Sequence, residues 1–162
     1  MSSTERPNRE RRGVRLSADE AWDVIGRSHT GVFTSLRRDG VPISLPVWFV
    51  ALDRRVYMTT PNSSKKVLRI RHDARSSFLV ESGEMWAELE AVHLTGRAVI
   101  LHGDDALEER IRLAQDAKYA PFRAAPTVMR AATKQHYAQR SAFIQFEPDE
   151  RIVSWNNARL FG

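Results

Sequence analysis

The chain contains no cysteine. That absence excludes disulfides, thiolate catalysis, iron–sulfur clusters and cysteine-ligated zinc together, so any redox chemistry must come from a bound organic cofactor or from haem. No apolar run approaches the ~18 residues of a membrane-spanning helix, and the first residues lack the apolar stretch of a signal peptide. The expectation is a soluble, cytoplasmic protein with no membrane partner. The histidines His29, His72, His93, His102 and His136 show no HxxxH or similar ligand spacing, so no metal site is expected. Neither a Ser-His-Asp arrangement nor a carboxylate pair stands out, and catalytic side chains stay unassigned. Hydride transfer tolerates that gap, because there the cofactor carries the reactive atom and the protein positions it.

Lysine is scarce, 4 against 21 arginines, which makes the adjacent pair Lys65 and Lys66 conspicuous. The 162 residues, 42% of them apolar, suffice for one domain with a real core and are too few for two comfortable ones. The net charge is +5 and the pI about 10.1, yet Glu5 to Arg15 alone hold five arginines against two glutamates. Residues 1–15 are therefore read as a disordered basic leader and 16–162 as the folded domain. The leader suits a solvated tail better than a nucleic-acid arm, which would lose affinity steeply with salt.

Along the domain, Ser17-Ala18-Asp19-Glu20 fits a capping box opening a helix to about Ser28. Gly31 to Arg37 reads as a strand, and Asp39-Gly40 as a hairpin turn. The partner strand alternates, with Ile43, Leu45, Val47 and Phe49 on one face and Ser44, Pro46, Trp48 and Val50 on the other. Pro46 cannot donate to a ladder, so this strand should be open on one side, a wall for a ligand beside Trp48. A third strand runs from Val56 to Thr60 and a fourth from Arg75 to Val80. The longest, about Trp86 to Leu101, is interrupted at Gly96, which suggests a bulge. Asp104 or Asp105 caps a helix whose Leu107, Ile111 and Ala114 face the core. Residues 119–140 are hard to read, with a helix possible at 127–136. Phe143 to Phe146 and Arg151 to Trp155 read as two strands joined by a Pro148-Asp149 turn, and Trp22 and Trp86 as core. Strands joined by hairpins, with helices at the margins and no GxGxxG, indicate an antiparallel α+β fold built as a small closed or split barrel.

The stretch from Val56 to Arg75 carries the chemistry. Thr59 and Thr60 end a strand, Pro61-Asn62-Ser63-Ser64 turns, and Lys65 and Lys66 open a helix. Cations in a first helical turn oppose the helix dipole by about 0.3–1 kcal/mol each, so stability alone does not explain them. A helix N-terminus with hydroxyls and ammonium groups around it suits a phosphate.

The succession of hairpin, Pro-Val-Trp-Phe strand, Tyr-x-Thr-Thr turn, Ser-x-Lys, short basic helix and Asp-x-Arg strand resembles the pyridoxamine 5′-phosphate oxidase-like superfamily of flavin- and deazaflavin-dependent oxidoreductases. The resemblance spans roughly Ala18 to Trp155 and matches poorly over 119–140. It implies a split β-barrel, a homodimer, and a cofactor at the subunit interface, either FMN or the deazaflavin F-420. Carried over by position, it implies that Thr59, Thr60, Ser63, Ser64, Lys65 and Lys66 grip the cofactor phosphate. Ser44, Leu45, Pro46, Val47 and Trp48 would flank the ring, and Trp155 would reach it from the other subunit, while Leu94-Thr95-Gly96 matches the long-strand glycine. A true pyridoxamine phosphate oxidase has an arginine at the head of the second strand and a C-terminal Arg-His-Asp-Arg pattern. Here Ser44-Leu45 and Asn156-Asn157-Ala158-Arg159 stand in those places, so oxidation of the vitamin is not expected. The branch implied is that of probable F-420-dependent enzymes acting on a small-molecule substrate. In it Arg69 and Arg71 are either an exposed polar face or contacts for the oligoglutamate tail of F-420. The alternative is a carrier or sensor of flavin, F-420 or haem on the same fold, without turnover.

Overall fold

A computed structural model describes residues 13–125, 128–137 and 140–161. Helix α1 (Ala18–Arg27) opens on the expected capping box, Ser17 Oγ accepting from Glu20 N–H and Glu20 accepting from Ser17 N–H. The strands are β1 (Gly31–Leu36), β2 (Pro42–Val47), β3 (Val50–Leu52), β4 (Arg55–Pro61), β5 (Arg75–Ser82), β6 (Glu90–Ile100) and β7 (Ser141–Asn156). Between them lie α2 (Lys65–His72), α3 (Asp105–Tyr119) and α4 (Ala131–Tyr137). Most of the leader lies outside the described residues. Val14 and Arg15 are tied down, Val14 C=O accepting from Asn156 N–H at 2.7 Å and Arg15 C=O from Arg159 at 3.1 Å. Among the described residues no helix is long and apolar enough to cross a membrane.

All seven strands form one antiparallel sheet in the order β2-β1-β5-β6-β7-β4-β3. Its two outermost strands, β2 and β3, are separated in the chain only by Trp48 and Phe49. Two residues cannot span a flat seven-stranded sheet, whose neighbouring strands lie about 4.8 Å apart, so the sheet curls until its edges meet. The result is an antiparallel α+β split barrel. Its interior is filled by Phe33, Phe49, Phe78 and Phe146, with Val56, Met58, Val92, Leu94 and Ile144, all at most 1% exposed.

The seam where the edges meet decides the site. Phe49 has left the strand ladder, so its N–H and C=O need other partners. The last turn of α3 supplies them. The Tyr119 hydroxyl accepts from Phe49 N–H at 2.8 Å, and its own proton is shared between the carbonyls of Phe49 (2.7 Å) and His29 (2.8 Å). Lys118 Nζ donates to the same Phe49 carbonyl at 3.1 Å and lies 3.9 Å from the centroid of the Phe49 ring.

Four expectations need correction. The second strand stops at Val47, and Leu45 is 42% exposed instead of buried, because β2 is an edge strand paired only with β1. Its opening beside Pro46 is as the missing donor requires. The long strand starts at Glu90, and Trp86–Glu88 is a 3₁₀ turn with Trp86 62% exposed against the edge of Phe161. The Pro148-Asp149 turn is instead a bend inside one long strand. Gly96 faces Pro148 and Leu94 faces Ile152, so Asp149–Arg151 bulge opposite Thr95, whose hydroxyl donates to Asp149 at 2.7 Å. Proline is tolerated at such a bulge, and Gly96 is required there, since a Cβ would lie 2.2 Å from the Glu147 carbonyl oxygen. Finally, the helix expected at 127–136 is α4, shorter and shifted to Ala131–Tyr137; 126 and 127 lie outside the described residues.

Candidate functional site

A cleft of about 370 Å³ opens beside the seam. One wall is Pro46, Val47 and Trp48, where β2 gives way to β3; its floor is the end of β4, Thr59 to Pro61. Lys66 closes it at the α2 end, and Gln115, Tyr119 and Arg123 close it at the α3 end. Among the described residues no carboxylate lines it.

At the α2 end, Ser64 caps the helix by accepting from Val67 N–H at 3.4 Å, which leaves its own proton to donate elsewhere. The Thr60 hydroxyl and the Lys66 ammonium have no partner among the described residues. Lys66 is half-buried, and that burial, aided by the charge of Arg69, lowers its pKa from the ordinary lysine value. An uncompensated cation held partly out of water beside a free hydroxyl favours an anion. Arg69 is committed elsewhere, Nε donating to the buried Ser35 hydroxyl at 2.8 Å.

Of the residues expected at the site, the cleft gathers Pro46, Val47, Trp48, Thr59, Thr60 and Lys66. Ser44, Leu45, Ser63, Ser64, Lys65 and Trp155 do not line it. Ser44 Oγ is hydrogen-bonded to Thr34 Oγ1 at 2.8 Å on the edge hairpin, Lys65 points to solvent, and Trp155 lies opposite Ala91 in the β6–β7 pairing.

The α3 end went unanticipated. Tyr119 is 1% exposed and stacks on Trp48 at 4.4 Å between centroids and 2° between planes, while the His29 ring stands edge-on to Trp48, Tyr119 and Phe122. Trp48, 39% exposed, is thus a braced flat surface. Gln115 is 8% exposed and accepts from the Thr59 hydroxyl at 3.2 Å. Arg123 donates to Asp116. A signal existed: Ile111, Gln115 and Tyr119 recur every four residues and so share one helix face. A glutamine on a buried stripe is the mark of a polar site behind it.

The curled antiparallel sheet, with a basic, hydroxyl-bearing cleft at its seam, has the architecture of the split-barrel class of proteins. The profile described as pyridoxamine 5′-phosphate oxidase matches residues 17–152, and the chain belongs to that family. Solved structures share the fold. A conserved hypothetical protein of Mycobacterium tuberculosis superposes with a TM-score of 0.76 at 23% identity, over 93% of this chain and 91% of the other. A FAD-binding protein of Mesorhizobium loti reaches 0.68 at 18% identity over 88% and 96%. The haem storage protein HutZ of Vibrio cholerae reaches 0.66 at 9% identity over 85% and 94%. No curated protein matches the sequence.

Proposed function

We propose that the protein is a flavin- or deazaflavin-dependent oxidoreductase, binding FMN or F-420 at a homodimer interface and exchanging a hydride with a small molecule. The observation that carries this reading is Lys66: a half-buried ammonium with no acidic partner, beside the free Thr60 hydroxyl, at the mouth of a cleft with a braced tryptophan wall. Phosphate and ring find complementary chemistry at the two ends. Thr60 and Lys66, which line the cleft, hold the phosphate, and Ser64 caps the helix that carries Lys66; Pro46, Val47 and Trp48 flank the ring. Trp155 and Lys65, which do not line the cleft of their own chain, belong to the interface with a second copy. The bound cofactor supplies the hydride, and this chain binds, orients and keeps water from it. The belt of Tyr119 hydrogen bonds at the seam keeps the Trp48 wall in place while this happens.

A non-catalytic carrier is the second reading, favoured by the likeness in fold to the haem storage protein HutZ. Among the described residues the lining of the cleft offers no histidine, cysteine or methionine as an axial ligand, and the Tyr119 hydroxyl is already engaged with backbone. Flavin fits these residues better than haem. Titration of the full chain with FMN and with F-420, followed by fluorescence, tests the binding. Lys66→Glu should weaken it by at least about 100-fold, the loss of a charge-assisted contact and its replacement by repulsion. Retained affinity in that variant refutes the assignment. Anaerobic reduction of an added acceptor by the loaded protein then separates enzyme from carrier.

A further inference from the structure

Gln115 makes a demand that the cofactor's phosphate and the Trp48 wall leave unanswered. It is 92% buried, and its carbonyl oxygen is taken by Thr59. Its amide N–H₂ donates to nothing among the described residues and is not sealed from solvent, so these donors are available to a ligand in the cleft that Gln115 lines. Gln115, Thr59 and Arg123 line the cleft and also an adjoining hollow of about 410 Å³, forming a sill between the two. Arg123 uses one guanidinium nitrogen on Asp116 and keeps the other donors free. Of the second hollow's other charged lining residues, Arg112 is paired with Glu109, and Arg140 and Glu108 carry one charge of each sign.

We infer that this sill is a carboxylate subsite, and that the small molecule taken by the protein is a monocarboxylic acid whose carboxylate lies on Gln115 and Arg123. The class follows from the charge count. Asp116 offsets part of Arg123, so the sill carries less than one net positive charge and two sets of N–H donors, which suits a monoanion with two acceptor oxygens and underbalances a dianionic phosphate. The phosphate-seeking end of the cleft is at Lys66, across the floor formed by Thr59 and Thr60. The inference rests on the cofactor reading only for the molecule that lies beside the acid, and the sill is tested without it.

The test uses the full chain with cinnamate, cinnamyl alcohol and phenyl phosphate as probes, affinity being read by ligand-observed NMR and calorimetry. The wild-type protein should prefer cinnamate to the alcohol by about tenfold or more. Gln115→Glu, of unchanged shape but opposite preference, and Arg123→Gln should each lower cinnamate affinity about tenfold and leave the alcohol alone. Equal binding of acid and alcohol, no cinnamate binding, tighter binding of phenyl phosphate, or parallel losses for both probes would each overturn the subsite. FMN titrated alongside keeps the two ideas apart. Failure of the wild type to bind FMN counts against the oxidoreductase, while the acid-over-alcohol preference still decides the sill.

Discussion

The two ends of the cleft are built in opposite ways. At the α2 end, Thr59, Thr60, Ser64 and Lys66 lie within eight consecutive positions on a strand, a turn and a capped helix. At the α3 end, Trp48 meets Tyr119 and Thr59 meets Gln115, partners 71 and 56 positions apart. A contiguous site inherits its geometry from local backbone preferences. A distributed one exists only once the sheet has closed, and so it doubles as part of what holds the sheet closed.

That contrast can be broken most forcefully at Tyr119. Tyr119→Leu removes the ring stacked on Trp48 and orphans the Phe49 backbone; it should cost about 3 kcal/mol, or roughly 10 °C in Tm. Tyr119→Phe keeps the ring and should cost about 1–2 kcal/mol, the share of the hydroxyl. Calorimetric melting of both variants checks this, and equal losses would mean that the hydroxyl does not brace the seam. Lys66→Glu should show the mirror image, with FMN binding lost and melting temperature nearly unchanged. Should Lys66→Glu unfold the protein while Tyr119→Leu leaves it stable, the division between local grip and structural seam is wrong.

A gentler probe is pH. Burial lowers the Lys118 ammonium to a pKa of about 8, below its value in the unfolded chain. The folded state therefore releases that proton first, and the penalty for burying the charge disappears as pH climbs from about 8 towards the ordinary lysine value. Stability should rise over that window in wild type relative to Lys118→Met, measured by urea melts at paired pH values. Burial raises Tyr57 and Tyr119 instead, which works against stability above the ordinary tyrosine range, so the comparison belongs below pH ~10. A flat difference between wild type and variant would remove Lys118 as the titrating group.

The smallest effect lies far from the cleft, in the two-residue β3–β4 turn, where Asp53 and Arg54 both adopt left-handed backbone, with φ of 51° and 57°. Arginine is poorly suited there, and Arg54→Gly should stabilise the protein by about 0.5 kcal/mol. Its exposed pairing with Asp19 contributes little that would be lost. A variant less stable than wild type would show that the pair outweighs the backbone strain.

Much of the fold was legible because its signals are short-range. The Ser17–Glu20 box, the Asp39-Gly40 hairpin, the Gly96 bulge and the Asp104 cap each depend on a few neighbouring residues, and each appears in the structure. The failures share a different cause. Alternation along the second strand assumed a buried face, but Leu45 sits on an edge strand. Pro148-Asp149 looks like a turn, yet pairing with β6 on both sides holds it inside β7. Trp86 is large and apolar and nonetheless exposed, because the 3₁₀ turn carrying it lies outside the barrel wall.

The chain's own order of residues determined that Thr60, Ser64 and Lys66 would gather at a helix start, since a capped helix after a strand places them there whatever surrounds it. Which side of Trp48 is free, which amide waits on the opposite wall, and what joins Phe49 to Tyr119 were decided only by closure of the sheet. Hydrogen bonds across a seam follow from where two strand edges meet in space, and that meeting is a property of the whole curled sheet and of no segment within it.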